Sequence, residues 1–397
     1  MKLFTNDREA VFVRRPNRFL IIAADAVDGK EISCHCPNPG RLIEFFGLRP
    51  YHIPGIKLIL EKRKIDKTAK KAKTAWTAAG LYYRDAVVPL FSARANAAAG
   101  ELILREIIKD LETVQSEYTI GDSRFDFFCI DKKGERHLVE VKACSLIEEG
   151  VAMFPDAPSV RALKHLEELA VLSKEGYICH VLFVIVHGKP KSFIPSLHTD
   201  PAFAAALSRA GKKDVKIHAA LLRCNAQGDT VLVAKNIPVD VSHGKLAASN
   251  SGSYLILLEL ADRQDITIGA MGTFSFAKGW YVYAGSAKKN LEQRISRHLR
   301  KTRKVKHWHI DYLAAEAKTI KALPIYSYRN LECDLAAGLK KIGGSAIKNF
   351  GSSDCRCKRI CASHLYYFED VPLKSRAFVE MLFRFRHREA FIKSAGK

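Results

Sequence analysis

Three side chains in two short runs are spaced to act together. The runs are Arg124-Phe-Asp-Phe-Phe-Cys-Ile130 and Leu138-Val-Glu-Val-Lys-Ala143, and the turn-forming Asp131-Lys-Lys-Gly134 joins them. Side chains alternate across a strand, so Glu140 and Lys142 share one face while Val139 and Val141 take the other. A turn centred on Lys133 sets Asp126 opposite Glu140 in an antiparallel pair, and opposed residues share a face. Two carboxylates and an ammonium then converge. Carboxylate oxygens suit Mg²⁺ or Mn²⁺, and an adjacent lysine can position an attacking water and offset charge on a phosphodiester. The same alternation also describes a half-solvated strand, with Asp126 capping the hairpin edge or pairing with Arg124, and both readings are open at this point.

The chain around these residues favours a polyanionic partner. It has 397 residues, enough for two or three domains with their own cores, and a net charge of +22 from 64 Lys+Arg against 42 Asp+Glu. Such an excess points to nucleic acid or an acidic membrane surface. The longest apolar run, Ile178 to Val186, is too short to span a bilayer, so no membrane partner is expected. No apolar signal segment opens the chain, and the expected location is the cytoplasm. There the ten cysteines are thiols or metal ligands rather than disulfides.

Three segments must position the hairpin and its partners. Residues 1–92 read as short strands (Ala10–Arg14, Phe19–Ala24, Leu58–Leu60) around the turn-rich Cys36-Pro-Asn-Pro-Gly40, and a small β-barrel follows. In Cys34-His35-Cys36 the two thiols face opposite sides, which disfavours a shared metal, and the turn calls for special backbone angles at Asn38 and Gly40. Residues 93–240 alternate helices and strands: a helix over Glu101–Leu111, the hairpin over 120–143, a helix over Val160–Ser173 and a buried strand over Ile178–Val186. His165 in that second helix is equally a satisfied helix histidine or a phosphate contact, and Phe154-Pro-Asp156 can line the same cleft. Residues 241–251 are polar and aperiodic and read as a linker; residues 252–370 form a second α/β unit, and 371–397 a basic helical tail. The fold class is a multidomain α/β protein with an added β-barrel.

The first part of the chain resembles the sugar fermentation stimulation protein A family. The resemblance rests on Cys34-His-Cys-Pro-Asn-Pro-Gly-Arg41, Ser123-Arg-Phe-Asp-Phe127, Val139-Glu-Val-Lys142, Phe154-Pro-Asp-Ala-Pro158, Lys164-His-Leu166 and Asp200-Pro-Ala-Phe203. It implies an OB-like barrel followed by a domain similar to PD-(D/E)xK nucleases. In that pattern Asp126 and Glu140 bind Mg²⁺ or Mn²⁺ and Lys142 is the catalytic lysine. A helical glutamate often completes such sites, and Glu101 is the candidate because it shares a face with Leu104 and Ile108. Arg41 and Arg124, within these motifs, are candidate nucleic-acid contacts.

A second resemblance covers the C-terminal segment. Gly252-Ser-Tyr254, Tyr281-Val-Tyr-Ala-Gly-Ser-Ala287, Arg294-Ile-Ser-Arg-His298, His307-Trp-His-Ile-Asp-Tyr312 and Ser363-His-Leu365 are similar to the GIY-YIG-related domain of endonuclease-associated, Uri-type proteins. The resemblance implies catalytic roles for Tyr254 or Tyr283, for Arg294, and for a glutamate, of which Glu332 is the candidate. The residues themselves argue for binding. Nine Lys/Arg against one acid fall between Trp280 and Ile310. A helix with Leu291, Ile295 and Leu299 inward projects Arg294, Arg297, His298 and Lys301, beside Lys288 and Trp308, toward phosphates. Cys355, Cys357, Cys361 and His364 offer four N/S ligands for Zn²⁺ within ten residues.

The expected protein is therefore a nucleic-acid binder, with DNA favoured over RNA, that hydrolyses phosphodiesters at Asp126, Glu140 and Lys142 and needs no small-molecule cofactor. The alternative is a non-catalytic DNA-binding regulator of sugar metabolism genes that keeps nuclease folds for binding. A structural RNA-binding module is a third reading. Composition leaves the oligomeric state open.

Overall fold

The computed structural model describes residues 1–63, 74–300, 306–351 and 361–389. Contacts divide the chain into two compact units, Met1–Lys245 and Leu246–Lys397. Among the described residues, no helix is long and apolar enough to cross a membrane.

The first unit opens with a barrel. Arg8–Asn17 pairs antiparallel with Leu20–Asp25 and Lys57–Lys62, and Trp76–Tyr83 continues from the latter. Glu31–His35 closes the ring by pairing with Leu20–Asp25 on one side and, in parallel, with Trp76–Tyr83 on the other. This five-stranded closure is OB-type topology. Period-two alternation turns Ala10 and Phe12 inward against Phe46, Leu58 and Leu81.

The turn at Cys36–Gly40 is held from beneath by a buried cation. Arg15 donates to the carbonyls of Arg18, Asn38 and Gly40 at 2.6, 2.7 and 2.7 Å. Asn38 and Gly40 take no left-handed backbone angle, against the sequence expectation. Gly40 is needed for room. A Cβ built there would lie 1.9 Å from a carboxylate oxygen of Asp156, so Phe154-Pro155-Asp156 docks on the barrel turn.

Beyond the barrel, Arg136–Cys144, Ile178–Ile185 and Lys216–Cys224 lie parallel, and Ser123–Asp131 and Leu111–Ile120 extend the sheet antiparallel. A Cys224↔Val87 pairing runs the sheet on into the barrel strands. Helices Val160–Leu172 and Pro201–Ala210 cover one face through Leu166, Leu169, Phe203 and Leu207, and the helical stretch 94–107 covers the other through Ala98, Ile103 and Leu104. Asp200 explains its motif by capping: its side chain accepts from Phe203 N at 3.0 Å and Ser159 N at 3.0 Å.

Three expected elements differ. The helix expected at Glu101–Leu111 begins at Arg94, passes through a π-turn at Ala99–Ile103 and ends at Ile107, after which Leu111–Ile120 is a strand. The stretch read as a linker is partly structured. Ser242–Lys245 forms a 3₁₀ turn whose Gly244 sits so close to the Ala204 carbonyl that a Cβ would come within 2.3 Å. In the second unit five strands are ordered Thr319–Tyr326, Gly252–Leu260, Gly279–Ala287, Leu365–Phe368, Ser345–Ala346. Its tail helix Arg376–Phe383 buries Phe378, Val379 and Leu382, so apolar packing rather than a free basic surface fixes it.

Filling the space at Gly40 overpacks a buried turn and moves a carboxylate off its seat. Gly40→Ala is expected to lower the unfolding free energy by about 2–3 kcal/mol, measured by urea denaturation of the full chain against wild type.

Candidate active sites

Strand pairing brings the first constellation together at the end of the hairpin ladder. The observed register, Phe127↔Val139 and Phe128↔Leu138, is the one a turn centred on Lys133 requires. The ladder stops there. Asp126 turns its carboxylate onto the neighbouring backbone, accepting from Val141 N at 2.7 Å and from Asn96 Nδ2 at 2.6 Å. Glu140 is buried, and one of its oxygens, Oε1, takes both of its donors: Lys142 Nζ, and His165 Nδ1 at 2.7 Å. Its other oxygen, Oε2, is buried with no hydrogen-bond partner among the described residues.

The two carboxyls are tuned apart. Burial and then repulsion from Glu140 push Asp126 above the ordinary carboxylate range, against the Val141 amide and Lys142. Burial acts on Glu140 in the same direction, but His165 and Lys142 outweigh it and hold Glu140 below that range. A buried anion whose second oxygen faces no donor, beside a second carboxylate, is an acceptor set for a divalent cation.

Glu101 does not join them. It is exposed, and its nearest ionic partner is the Met1 amino group at 3.7 Å. The π-turn inserts an extra residue into the helix, so Leu104 and Ile108 are buried while Glu101 faces out. Asn96, five residues earlier, holds Asp126 instead; a neutral amide gave no charge signal to find it by. Arg41 and Arg124 are exposed, and Arg124 lies 3.5 Å from Glu117.

In the second unit Tyr254 and Tyr283 lie on adjacent strands with ring centroids 6.5 Å apart. Gly285 makes room for Tyr254: a Cβ there would meet the ring at 2.4 Å. Tyr254 Oη is 3.1 Å from His298 Nε2, and His298 Nδ1 is 3.0 Å from Asp311 Oδ1. Asp311 Oδ2 also accepts from Arg297 at 3.0 Å and from Trp308 N at 2.9 Å. His298 therefore faces the interior, against the expectation of a surface contact, and Leu299 is 37% exposed in its place. A hydrogen-bonded Tyr–His–Asp line outweighs one leucine in setting the helix rotation.

Arg294 donates to Ser286 O at 3.1 Å and lies over the Trp308 ring, 5.4 Å from its centroid. Glu332 accepts from Ser286 Oγ at 2.8 Å and lies 3.1 Å from His364 Nδ1. Burial raises Glu332, but His364 outweighs it and leaves the carboxyl below its usual range. Burial pushes both phenols up. Lys288 is exposed; Lys301, Cys355 and Cys357 lie outside the described residues. Cys361 and His364 do converge, with Cys333 as the third member and ligand atoms all within 4.8 Å of one another. Cys333 comes from a separate helix, which local spacing could not reveal.

A closed OB-type barrel leading into a layered α/β domain with an acidic pair and a lysine defines the first unit as a class. Family comparisons agree with that division. Residues 13–90 match the sugar fermentation stimulation protein N-terminal OB domain, residues 93–228 the RE domain of the same proteins, and residues 253–386 a domain of unknown function, DUF123. A sugar fermentation stimulation protein homolog of Desulfitobacterium hafniense strain Y51 is 36% identical over 242 residues, 61% of this chain and 99% of the relative. One from Pyrobaculum neutrophilum is 34% identical over 59% of this chain and 94% of its own length. The chain belongs to the sugar fermentation stimulation protein family. The solved structure of SfsA from Pyrococcus furiosus, in complex with Ca²⁺, is 26% identical, covers 60% of this chain and 99% of its own, and superposes with a TM-score of 0.51.

Asp311 carries a pH prediction. Burial alone would raise it, but His298 and the Trp308 and His307 amides hold it well below its ordinary value. A depressed carboxyl stabilises the fold above the unfolded-state pKa of about 3.9, and that stability is lost as pH falls below it. The stability gap between wild type and Asp311→Asn should accordingly shrink as pH falls below about 4, as measured by denaturant unfolding between about pH 5 and 2.

Proposed function

We propose that the first unit is a divalent-metal-dependent phosphodiesterase acting on nucleic acid, with DNA as the favoured substrate, and that residues 93–240 are a PD-(D/E)xK-like domain. The observation that carries this reading is the unpartnered Glu140 Oε2, buried beside Asp126. Leaving such an oxygen unsatisfied costs about 1–3 kcal/mol or more, a cost a cation relieves. The Ca²⁺ held by the Pyrococcus furiosus relative supports a divalent ion on this fold, and the OB-type barrel, together with the whole chain's net charge of +22, supports a polyanionic strand as partner.

Asp126 and Glu140 would hold Mg²⁺ or Mn²⁺. When bound, the ion lowers the pKa of water and offsets charge on the phosphate. The protein's share is positional. His165 and Lys142 fix Glu140 through one oxygen, and Asn96 with the Val141 amide fixes Asp126. The Lys142 ammonium, held beside Glu140 Oε1, would orient a water and offset charge on the phosphate.

Cleavage of labelled single- and double-stranded DNA and RNA with Mn²⁺ tests this. Glu140→Gln should reduce turnover roughly a hundredfold or more, because loss of a group that merely supports a metal ligand already costs about 10–100-fold, with binding intact or tighter. Equal cleavage by wild type and Glu140→Gln would assign the activity elsewhere. Tight binding without cleavage under any metal would leave the non-catalytic regulator.

For residues 252–370 the proposed reading is a GIY-YIG-like domain, and the Tyr254–His298–Asp311 line favours a proton-transfer role over a clamp. His298 can take the phenolic proton while Asp311 balances the imidazolium. Tyr254→Phe should then lower a rate at unchanged affinity for nucleic acid, whereas in a clamp it would change neither. The cluster Cys333, Cys361 and His364 is proposed to bind Zn²⁺, and Cys333→Ser should remove one zinc equivalent from the purified protein.

A further inference from the structure

At the turn end of the hairpin that carries Asp126 and Glu140, three histidines from three adjacent strands form a line, with His137 and His180 buried and His218 half-buried. His137 Nδ1 is 3.1 Å from His180 Nε2, and His180 Nδ1 is 3.0 Å from His218 Nε2. Each contact needs one N–H and one lone pair. His137 Nε2 is then left over. It is buried, and among the described residues nothing lies within hydrogen-bond distance of it. It faces Asp131 Oδ2 at 3.7 Å, too far for a hydrogen bond.

The opposing carboxylate is held in place. Asp131 Oδ1 accepts from Lys133 N and Glu135 N, both at 2.9 Å, so the turn itself points Oδ2 toward the imidazole. A carboxylate oxygen of Glu135 joins, and the three ligand atoms lie within 4.8 Å of one another. They border a cavity of about 220 Å³ that Lys109, Lys133 and Lys216 also line.

We propose that Asp131, Glu135 and His137 form a second metal site, selective for a borderline transition-metal dication such as Zn²⁺, that clamps the turn of the hairpin carrying Asp126 and Glu140. In the metal-free state Nε2 is either an N–H whose nearest carboxylate oxygen, Asp131 Oδ2, stands 3.7 Å away, or a lone pair facing two carboxylates. A cation between the three resolves the second. Tetrahedral ligands at about 2.1 Å from zinc are about 3.4 Å apart, close to the 3.7 Å between His137 Nε2 and Asp131 Oδ2. One imidazole with two carboxylates suits Zn²⁺ better than the all-oxygen shells of Mg²⁺ or Ca²⁺. With His137 donating from Nδ1 to His180, and His180 to His218, the relay would fix the tautomer that leaves Nε2 open, as partners of metal-bound histidines do.

The test uses the full chain, stripped with EDTA, re-equilibrated with Zn²⁺ and dialysed, with metal content measured by plasma mass spectrometry. His137→Gln and the exposed Glu135→Gln should each lose one zinc equivalent relative to wild type, while Glu140→Gln loses none of that equivalent. Zinc should raise the melting temperature of wild type and of Glu140→Gln more than that of Glu135→Gln. His218→Gln touches no ligand and should weaken zinc binding about 10–100-fold through the relay. Unchanged zinc content in Glu135→Gln, with the protein folded by circular dichroism, overturns the ligand set. Wild-type affinity in His218→Gln overturns the relay.

Discussion

The phosphodiesterase reading of the first unit depends on how one carboxylate is shared. Glu140 spends a single oxygen on Lys142 and His165 and keeps the other, buried, for something the described chain does not supply. That division requires strand alternation to set Lys142 on the same face, a helix to deliver His165, and parallel pairing with Ile178–Ile185 to keep the strand interior. If the strand pairing slipped by one residue, Glu140 would turn to the opposite face, among Val139, Leu182 and Val184.

The second unit solves a comparable problem with different groups. Instead of an open carboxylate it buries a phenol, an imidazole and a carboxylate in line, and sets a second acid, Glu332, against Ser286 and His364. Glycines grant the approach in both units: Gly40 admits Asp156 against the barrel turn, and Gly285 admits the ring of Tyr254. The two glycines within the sequence motifs are thus explained by close contacts.

Much of the hairpin was legible because period-two alternation and a turn with Gly134 leave one register. Three barrel strands, Arg8–Asn17, Leu20–Asp25 and Lys57–Lys62, were legible from their apolar runs, whereas Glu31–His35 and Trp76–Tyr83 were not read. Glu101 was misplaced because a π-turn breaks the helical period on which the face assignment relied. The strand Leu111–Ile120 escaped notice because most of its side chains are exposed, so no alternation marks it. His298 read as a basic surface residue because nothing local reveals that Asp311, thirteen positions on, meets it. Cys333 and Asn96 reach their sites from other elements, a relation that only tertiary packing creates.

Locating a bound ion tests the central claim most directly. Crystals of the full chain soaked in Mn²⁺ and measured at the manganese absorption edge should give an anomalous peak within coordination distance of Glu140 Oε2 and an Asp126 oxygen, roughly 2.0–2.3 Å, and no such peak in Glu140→Gln. A peak that is absent there in wild type, or that persists unchanged in Glu140→Gln, would contradict the account.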